Sequence, residues 1–312
     1  MKRLSNAVFA ATLAIAVPAM AAEHQNAADV SHATPETAKM FEKYFATKTS
    51  EDVEGTMSFF SKKLATYTDA TLGWPMDYDY VHGLFEKYMP NWGNGKSYPV
   101  QVLGGAEKGN GSAIVSFVDT PELFGGELRI LGAVDFKDGK IVRWVDYWDS
   151  SAYDDGLYSK YKTAPASFPT DFKEGEVGTN ASKKIVDIST HLQSALSEGD
   201  AGEAAALFSD DAEFEDMAIR TKIRGKAAIE RYLQRVASVA PFADQSRLRH
   251  VVGSDAGGGF EWFASSNSTV KGGITALSLD AQGKIISATT TYDERLLDRK
   301  VAEQLASASL EP

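Results

Sequence analysis

The stretch "DGKIVRWVDYWD", residues 138–149, recurs in outline as "QGKIISATTTYD", residues 282–293, near the other end of the 312-residue chain. Gly139 aligns with Gly283, Ile141 with Ile285, Trp148 with Tyr292 and Asp149 with Asp293, each pair 144 residues apart. That spacing is too long for a solenoid repeat and suits a duplicated domain. Upstream the copies stay in step: "FATKTSEDVEGTMSFFSKKLATYTD" (45–69) runs against "LQSALSEGDAGEAAALFSDDAEFED" (192–216), with Phe60 opposite Phe208.

Each copy reads as a helix, a short second helix, a strand, a further helix and three closing strands. The further helix falls at 78–89 in copy one and 226–237 in copy two, where Ile229, Leu233 and Val236 recur at helical spacing. The closing strands of copy one are "GSAIVSFVD", "ELRILGAVDF" and "KIVRWVDYWD", separated by turns such as Lys137-Asp138-Gly139. Helices followed by antiparallel strands specify an α+β layer fold. The expected map is a leader at 1–22, a first domain at 33–150, a connection at 151–180, a second domain at 181–300 and a tail at 301–312.

Within the last strand of copy one, alternation places Val142, Trp144, Asp146 and Trp148 on one face. Two tryptophans mark that face as buried. A lone carboxylate there costs several kcal/mol unless it is paired or protonated. Asp146 therefore has either a hidden partner or a chemical role.

Bulk properties narrow the choices. The chain is 43% hydrophobic and 24% charged, an ordinary globular balance. A formal net charge of -11 argues against nucleic acid or an anionic membrane as partner. With no cysteine, disulfides and thiol catalysis are excluded. The opening "MKRLSNAVFAATLAIAVPAMAAEHQ" has a basic start, an apolar run from Ala7 to Val17, and "AMA" after Pro18. This is the layout of a secretory signal cleaved after Ala21 or Ala22, which implies a periplasmic or secreted protein with no membrane association afterwards. The five histidines are scattered, and no Walker loop, dinucleotide fingerprint or G-x-S-x-G is present, so neither a metal nor an organic cofactor is expected.

The element order resembles the plan of the nuclear transport factor 2-like, or SnoaL-like, superfamily. The resemblance implies two cone-shaped domains, each with helices packed on a curved antiparallel sheet around an apolar pocket. Copy one is most similar to limonene-1,2-epoxide hydrolase: "GELRILGAVDFKDGKIVRWVDYWD" (126–149) aligns without a gap to that family's "ILG…G[KR]I…WRDYFD" pattern. The resemblance implies that Asp146 is the base that activates water. It makes Asp119, in Phe117-Val118-Asp119, the acid, and Tyr67 and Asp69 the holders of that water. The arginine that lies between the two carboxylates in that family is Phe117 here, so the pair is expected to lack its cation. Copy two resembles ketosteroid isomerase: "DDAEFEDM" (210–217) is similar to "DDATVEDP", which places Asp216 on the general base. Leu192 falls on that family's oxyanion tyrosine, a position held in copy one by Tyr44, and Thr290 stands where copy one has Asp146. Members pair sheet to sheet as dimers, so the tandem is expected to form an intrachain pseudo-dimer burying Val145 and Tyr147. Whether it assembles further is open.

Two carboxyl groups in one apolar pocket push their pKa values apart, leaving one as acid and the other as base. The alternative for Asp146 is purely structural, accepting hydrogen bonds from an indole or a tyrosine. Asp216 equally suits a turn or helix cap. The aromatic run "GWPMDYDYVH" (73–82) reads as pocket rim and helix start, with Asp77 or Asp79 as cap. Candidate substrate contacts are Tyr44, Trp74, Tyr78, Tyr80, His82, Phe117, Trp144 and Trp148. The expected activity is acid–base chemistry without a cofactor in the first domain: epoxide hydrolysis, or an isomerase, dehydratase, lyase or cyclase step on a small to medium apolar or aromatic oxygenated molecule. A non-catalytic carrier of such a ligand is the other class.

Overall fold

The computed structural model describes residues 27–169, 171–174 and 180–310, so the expected leader lies outside the described residues. The first unit runs β1 (Asp29–Ala33), α1 (Pro35–Thr49), α2 (Val53–Met57), β2 (Thr66–Asp69), β3 (Trp74–Asp77), α3 (Tyr78–Tyr88), β4 (Ser97–Glu107), β5 (Asn110–Asp119), α4 (Pro121–Phe124), β6 (Leu128–Lys137) and β7 (Lys140–Trp148). After α5 (Asp155–Tyr161), the second unit runs α6 (Lys183–Glu198), α7 (Ala201–Ala206), β8 (Phe208–Asp216), β9 (Thr221–Arg224), α8 (Lys226–Val236), β10 (Arg247–Ser254), β11 (Gly257–Phe263), β12 (Gly272–Leu279), β13 (Ile285–Tyr292) and α9 (Arg299–Ala308). The fold is α+β, with helices packed on two curved sheets. Apart from β1, which has no counterpart among the described residues of the second sheet, their strand orders match: β1-β4-β5-β6-β7-β2-β3 and β10-β11-β12-β13-β8-β9. In both, the first strand after the opening helices pairs parallel with the last strand, β2 with β7 and β8 with β13.

Local sequence explains the helices. Thr34 caps α1, followed by Pro35 at the first helical position, and Phe41, Tyr44, Phe45 and Lys48 lie on its buried stripe. Asp77 caps α3 by accepting the Tyr80 N–H at 2.9 Å. Ser182 caps α6, which ends at Gly199 with φ 73°.

Four strands close each unit rather than three. The additional ones are β4 and β10. Pro99, at a register shift in β4, and the charged run Arg247-Leu248-Arg249-His250 in β10 hide the alternation that marks the other strands. The first unit also begins earlier than residue 33, because β1 pairs parallel with β4. The expected tail is largely helical: Leu305 and Ala308 of α9 pack into the second unit's core. A register shift on β7 opposes Ile141 to Phe136, so Ile141, rather than Val142, joins Trp144 in the apolar core.

The two sheets pack face to face. Leu103, Ile114, Leu131, Ala133, Val145 and Tyr147 of the first meet Met217, Val252, Ile274 and Ala276 of the second. The equivalent strands β4 and β10 meet at Gly104 and Gly253, where a Cβ on Gly104 would sit 2.6 Å from the Gly253 Cα. Beside this apolar contact lies a buried charge network. Arg143 donates to Glu261 and, at 2.6 Å, to Glu174; Arg249 donates to Glu261 at 2.6 Å and Glu174 at 2.7 Å. The Tyr147 hydroxyl donates to Glu261 at 2.9 Å, and Asp135 takes Arg143 at 3.5 Å and His250 at 3.0 Å. Burial opposes ionisation of Glu261, yet Arg143 and Arg249 hold its carboxyl at about 2.

Glu261→Ala should cost about 3–5 kcal/mol in urea denaturation, because it strands buried guanidiniums at the interface. A change within about 0.5 kcal/mol would mean the network carries no stability. Since the folded pKa of Glu261 is depressed, its contribution is present above the ordinary glutamate value and is lost as pH falls toward 2.

Candidate functional site

Trp144, Asp146 and Trp148 turn to the helical side of their sheet, where a cavity of about 380 Å³ opens inside the first unit. Its walls are apolar: Leu72, Trp74, Met76, Val81, Leu84, Phe85, Tyr88, Trp92, Leu128 and Ile130 among others. Lys48, Tyr67, Asp69, Asp119 and Asp146 bring polar groups to it.

Asp146 accepts hydrogen bonds from the Tyr67 hydroxyl and, at 2.5 Å, from the Trp144 indole N–H. Burial raises its pKa to about 7, against these two donors and Lys48, with the Asp69 charge adding to the rise. Asp69 stands opposite Asp146 in the β2–β7 register. It takes the Leu72 N–H at 2.7 Å and the Trp148 indole at 3.1 Å, and burial lifts it to about 6. Tyr67 stacks on Trp144 at 6.0 Å, and its hydroxyl is pushed well above 10 by burial and by Asp146.

Asp119 is held differently from expectation. It forms an ion pair with Lys48, which reaches both carboxylate oxygens at 3.1 Å. The pair is 2–4% exposed, and the ammonium lies 5.0 Å from the Phe117 ring centroid. Asp119 and Asp146 thus line one cavity, each held by its own donors. The cation expected to be missing is supplied by a helix rather than a strand. Lys48 sits seven residues after Phe41 and four after Tyr44 on the buried stripe of α1. A lysine at such a position is the sign from which it could have been found.

Among the other candidates, Trp74 and Trp148 line the cavity. Tyr44, Phe117 and Trp144 stand behind it as a fully buried aromatic cluster, with Tyr44 5.0 Å and Phe117 6.1 Å from Trp144. Tyr78, Tyr80 and His82 do not belong to the lining. The phase of α3 points Val81, Leu84, Phe85 and Tyr88 inward, leaving Tyr80 57% exposed and Tyr78 stacked on His82, which meets Glu54 at 2.7 Å.

The connection, whose tyrosines and phenylalanines suggest partial packing, contributes three lining residues: Tyr153, Leu157 and Tyr161. The opposite side of α5 is fastened to the second unit. Asp293 accepts from Tyr158 at 2.6 Å, Lys162 at 2.6 Å and Ser150 at 2.5 Å, while Arg295 reaches Asp155 at 2.5 Å.

Asp216 does not line this cavity. It is fully buried, accepts from the Tyr292 hydroxyl at 2.9 Å and the Ala218 N–H at 3.1 Å, and is raised to about 7 by burial. It matches Asp69 rather than Asp146: each lies on the strand after the opening helices and accepts from an aromatic of the last strand, Trp148 or Tyr292. The position of Asp146 is held by Thr290, opposite Asp216 in register. The second core is filled by Phe214, Tyr232, Phe242, Trp262 and Tyr292. Among the described residues no group of three or more His, Asp or Glu side chains is placed to hold a metal, and no helix is long and apolar enough to cross a membrane.

No protein-family model and no curated protein matches this chain. Solved structures similar to it include a protein with a cystatin-like fold from Silicibacter pomeroyi (16% identity, 41% of this chain and 85% of that one, TM-score 0.33). Others are an NTF-2 like protein of unknown function from Burkholderia xenovorans (19%, 36% and 84%, 0.30) and a steroid delta-isomerase from Pseudomonas aeruginosa (12%, 42% and 93%, 0.33).

Because burial raises Asp146, its contribution to stability is full below about 4 and is lost as pH rises through about 7. Stability should therefore fall by about 1.4 kcal/mol per pH unit across that window on account of this group. Asp146→Asn should remove that slope and leave the variant more stable than the parent at pH 8, measured by urea denaturation at pH 5 and 8. Equal slopes in both proteins would mean that Asp146 is already ionised at pH 5.

Proposed function

We propose that this chain is an exported, tandem nuclear transport factor 2-like protein whose first unit is a proton-transfer enzyme acting without a cofactor. Its substrate is a neutral, apolar molecule of small to medium size with one reactive oxygen function. The observation that carries the reading is Asp146, a carboxyl poised at about 7 in an apolar cavity and oriented by Tyr67 and Trp144. A general base works best when its pKa lies near the working pH. The secretory-signal layout of residues 1–22 in the sequence supports export.

In this mechanism the apolar walls take up the body of the substrate and exclude bulk water. Asp146 accepts the proton, either from a water attacking an epoxide carbon or from a carbon beside a carbonyl. The substrate oxygen, which gains negative charge as its bond opens or its carbonyl enolises, is met by the Lys48 ammonium, held in place by Asp119. This revises the role of Asp119 from acid to anchor of the acid. Donors aimed at developing negative charge typically contribute about 10²- to 10³-fold. Asp69, beside Asp146, shares the positioning of water. The second unit holds the framework together: its Asp216 is enclosed, so Asp216→Asn should leave turnover nearly unchanged.

The test is turnover of a panel of lipophilic epoxides and β,γ-unsaturated ketones, followed by mass spectrometry with the mature full-length chain. Asp146→Asn should lower kcat/KM by at least about a hundredfold with ligand affinity nearly intact. In the parent, kcat/KM should rise with pH and level off above about 7. Tight binding across the panel with no turnover would assign the cavity to a carrier instead.

A further inference from the structure

A second cavity, also about 380 Å³, opens where the connection crosses the second unit, and it shares no lining residue with the first. Its apolar walls are Tyr147, Phe168, Phe172, Trp262, Phe263, Val270 and neighbouring prolines. Its charged lining is Lys162, Arg247, Lys271 and Asp293. Lys162 neutralises Asp293 at 2.6 Å. That leaves the Arg247 and Lys271 charges uncompensated: among the described residues neither meets a carboxylate, and the contact recorded for Arg247 is with the Phe263 ring, 5.6 Å from its centroid. Ser265, Ser266 and Ser268 also line it. The first cavity reverses this balance, with three carboxyl groups against one lysine. The cavity is thus cationic and aromatic-walled in a chain of net charge -11.

We propose that this cavity is a second ligand site, for an amphipathic carboxylate whose apolar body lies against Phe168, Phe172 and Phe263 and whose anion is met by Arg247 and Lys271. Aromatic walls give the body its affinity, and the two cations select charge. Both cations lie at the exposed edge, so the carboxylate stays near water while the apolar part is covered. The site is independent of the reaction in the first unit. It adjoins the clamp on α5, since Lys162 and Asp293 lie in its wall.

Calorimetric titration of the full mature chain with 2-naphthoate tests this. The carboxylate should bind at least about tenfold more tightly than its neutral isostere 2-naphthamide. The difference should vanish in Arg247→Glu/Lys271→Glu and shrink in Lys271→Glu alone, the milder variant should the double one misfold. Asp146→Asn should leave naphthoate affinity unchanged, whereas binding in the acidic first cavity would tighten when that carboxyl is removed. The proposal is overturned by equal affinity for carboxylate and amide, by charge reversal without effect, by tightening in Asp146→Asn, or by no binding at millimolar naphthoate.

Discussion

The pleat of β7 is the constraint on which the rest of the molecule depends. Successive side chains of a strand leave on opposite faces. From Arg143 to Trp148, one face carries Arg143, Val145 and Tyr147 and the other Trp144, Asp146 and Trp148. The first set meets the sister sheet through the apolar contact and the charge network around Glu261. The second set lines or backs the first cavity. A slip of one residue would place Arg143 in the cavity and Asp146 in the interface, so docking and site geometry cannot vary separately. The short step at Val142 lies outside this segment and leaves the alternation intact.

The two units share one strand order and have different interiors. In the second, bulky aromatics close the space that the first keeps open, and Thr290 replaces the carboxyl of Asp146. Its Asp216 has a structural part, a carboxyl accepting from the turn that follows its own strand and from an aromatic of the last strand. What the second unit contributes to the first is support. Asp293 and Arg295 hold α5 over the cavity, and the reciprocal Asp149 reaches Arg220 at 3.5 Å. The cavity wall is therefore built from sheet, helix and a connection pinned by the neighbouring unit.

How much of this was legible from sequence follows from the range of each interaction. The duplicated ending, the α+β order and the shared face of Trp144 and Asp146 are local patterns and could be read directly. Tyr67, Asp69 and Asp119 were reached through resemblance, and all three line the cavity. Lys48 was missed because its partner is 71 residues away and no strand alignment contains it. Phe117 on the strand offers no cation, and the one present comes from α1, which carries Lys48 on its buried stripe. Tyr78, Tyr80 and His82 were misplaced by composition: an aromatic run suggests a rim, but helix phase decides which of its members face inward. The Tyr-rich composition of the connection suggests packing for Tyr153 and Tyr161, but not that they line the cavity, since the contacts of Asp293 with Ser150, Tyr158 and Lys162 are long-range.

The central claim is that a carboxyl in the first cavity is half-protonated near neutrality because burial outweighs its two donors. Carbon-13 titration of aspartate carboxyl groups, with Asp146→Asn used for assignment, measures this directly. The account predicts a resonance that titrates near 7 and disappears in the variant. A resonance for Asp146 that titrates below about 5, close to the ordinary aspartate value, would contradict it.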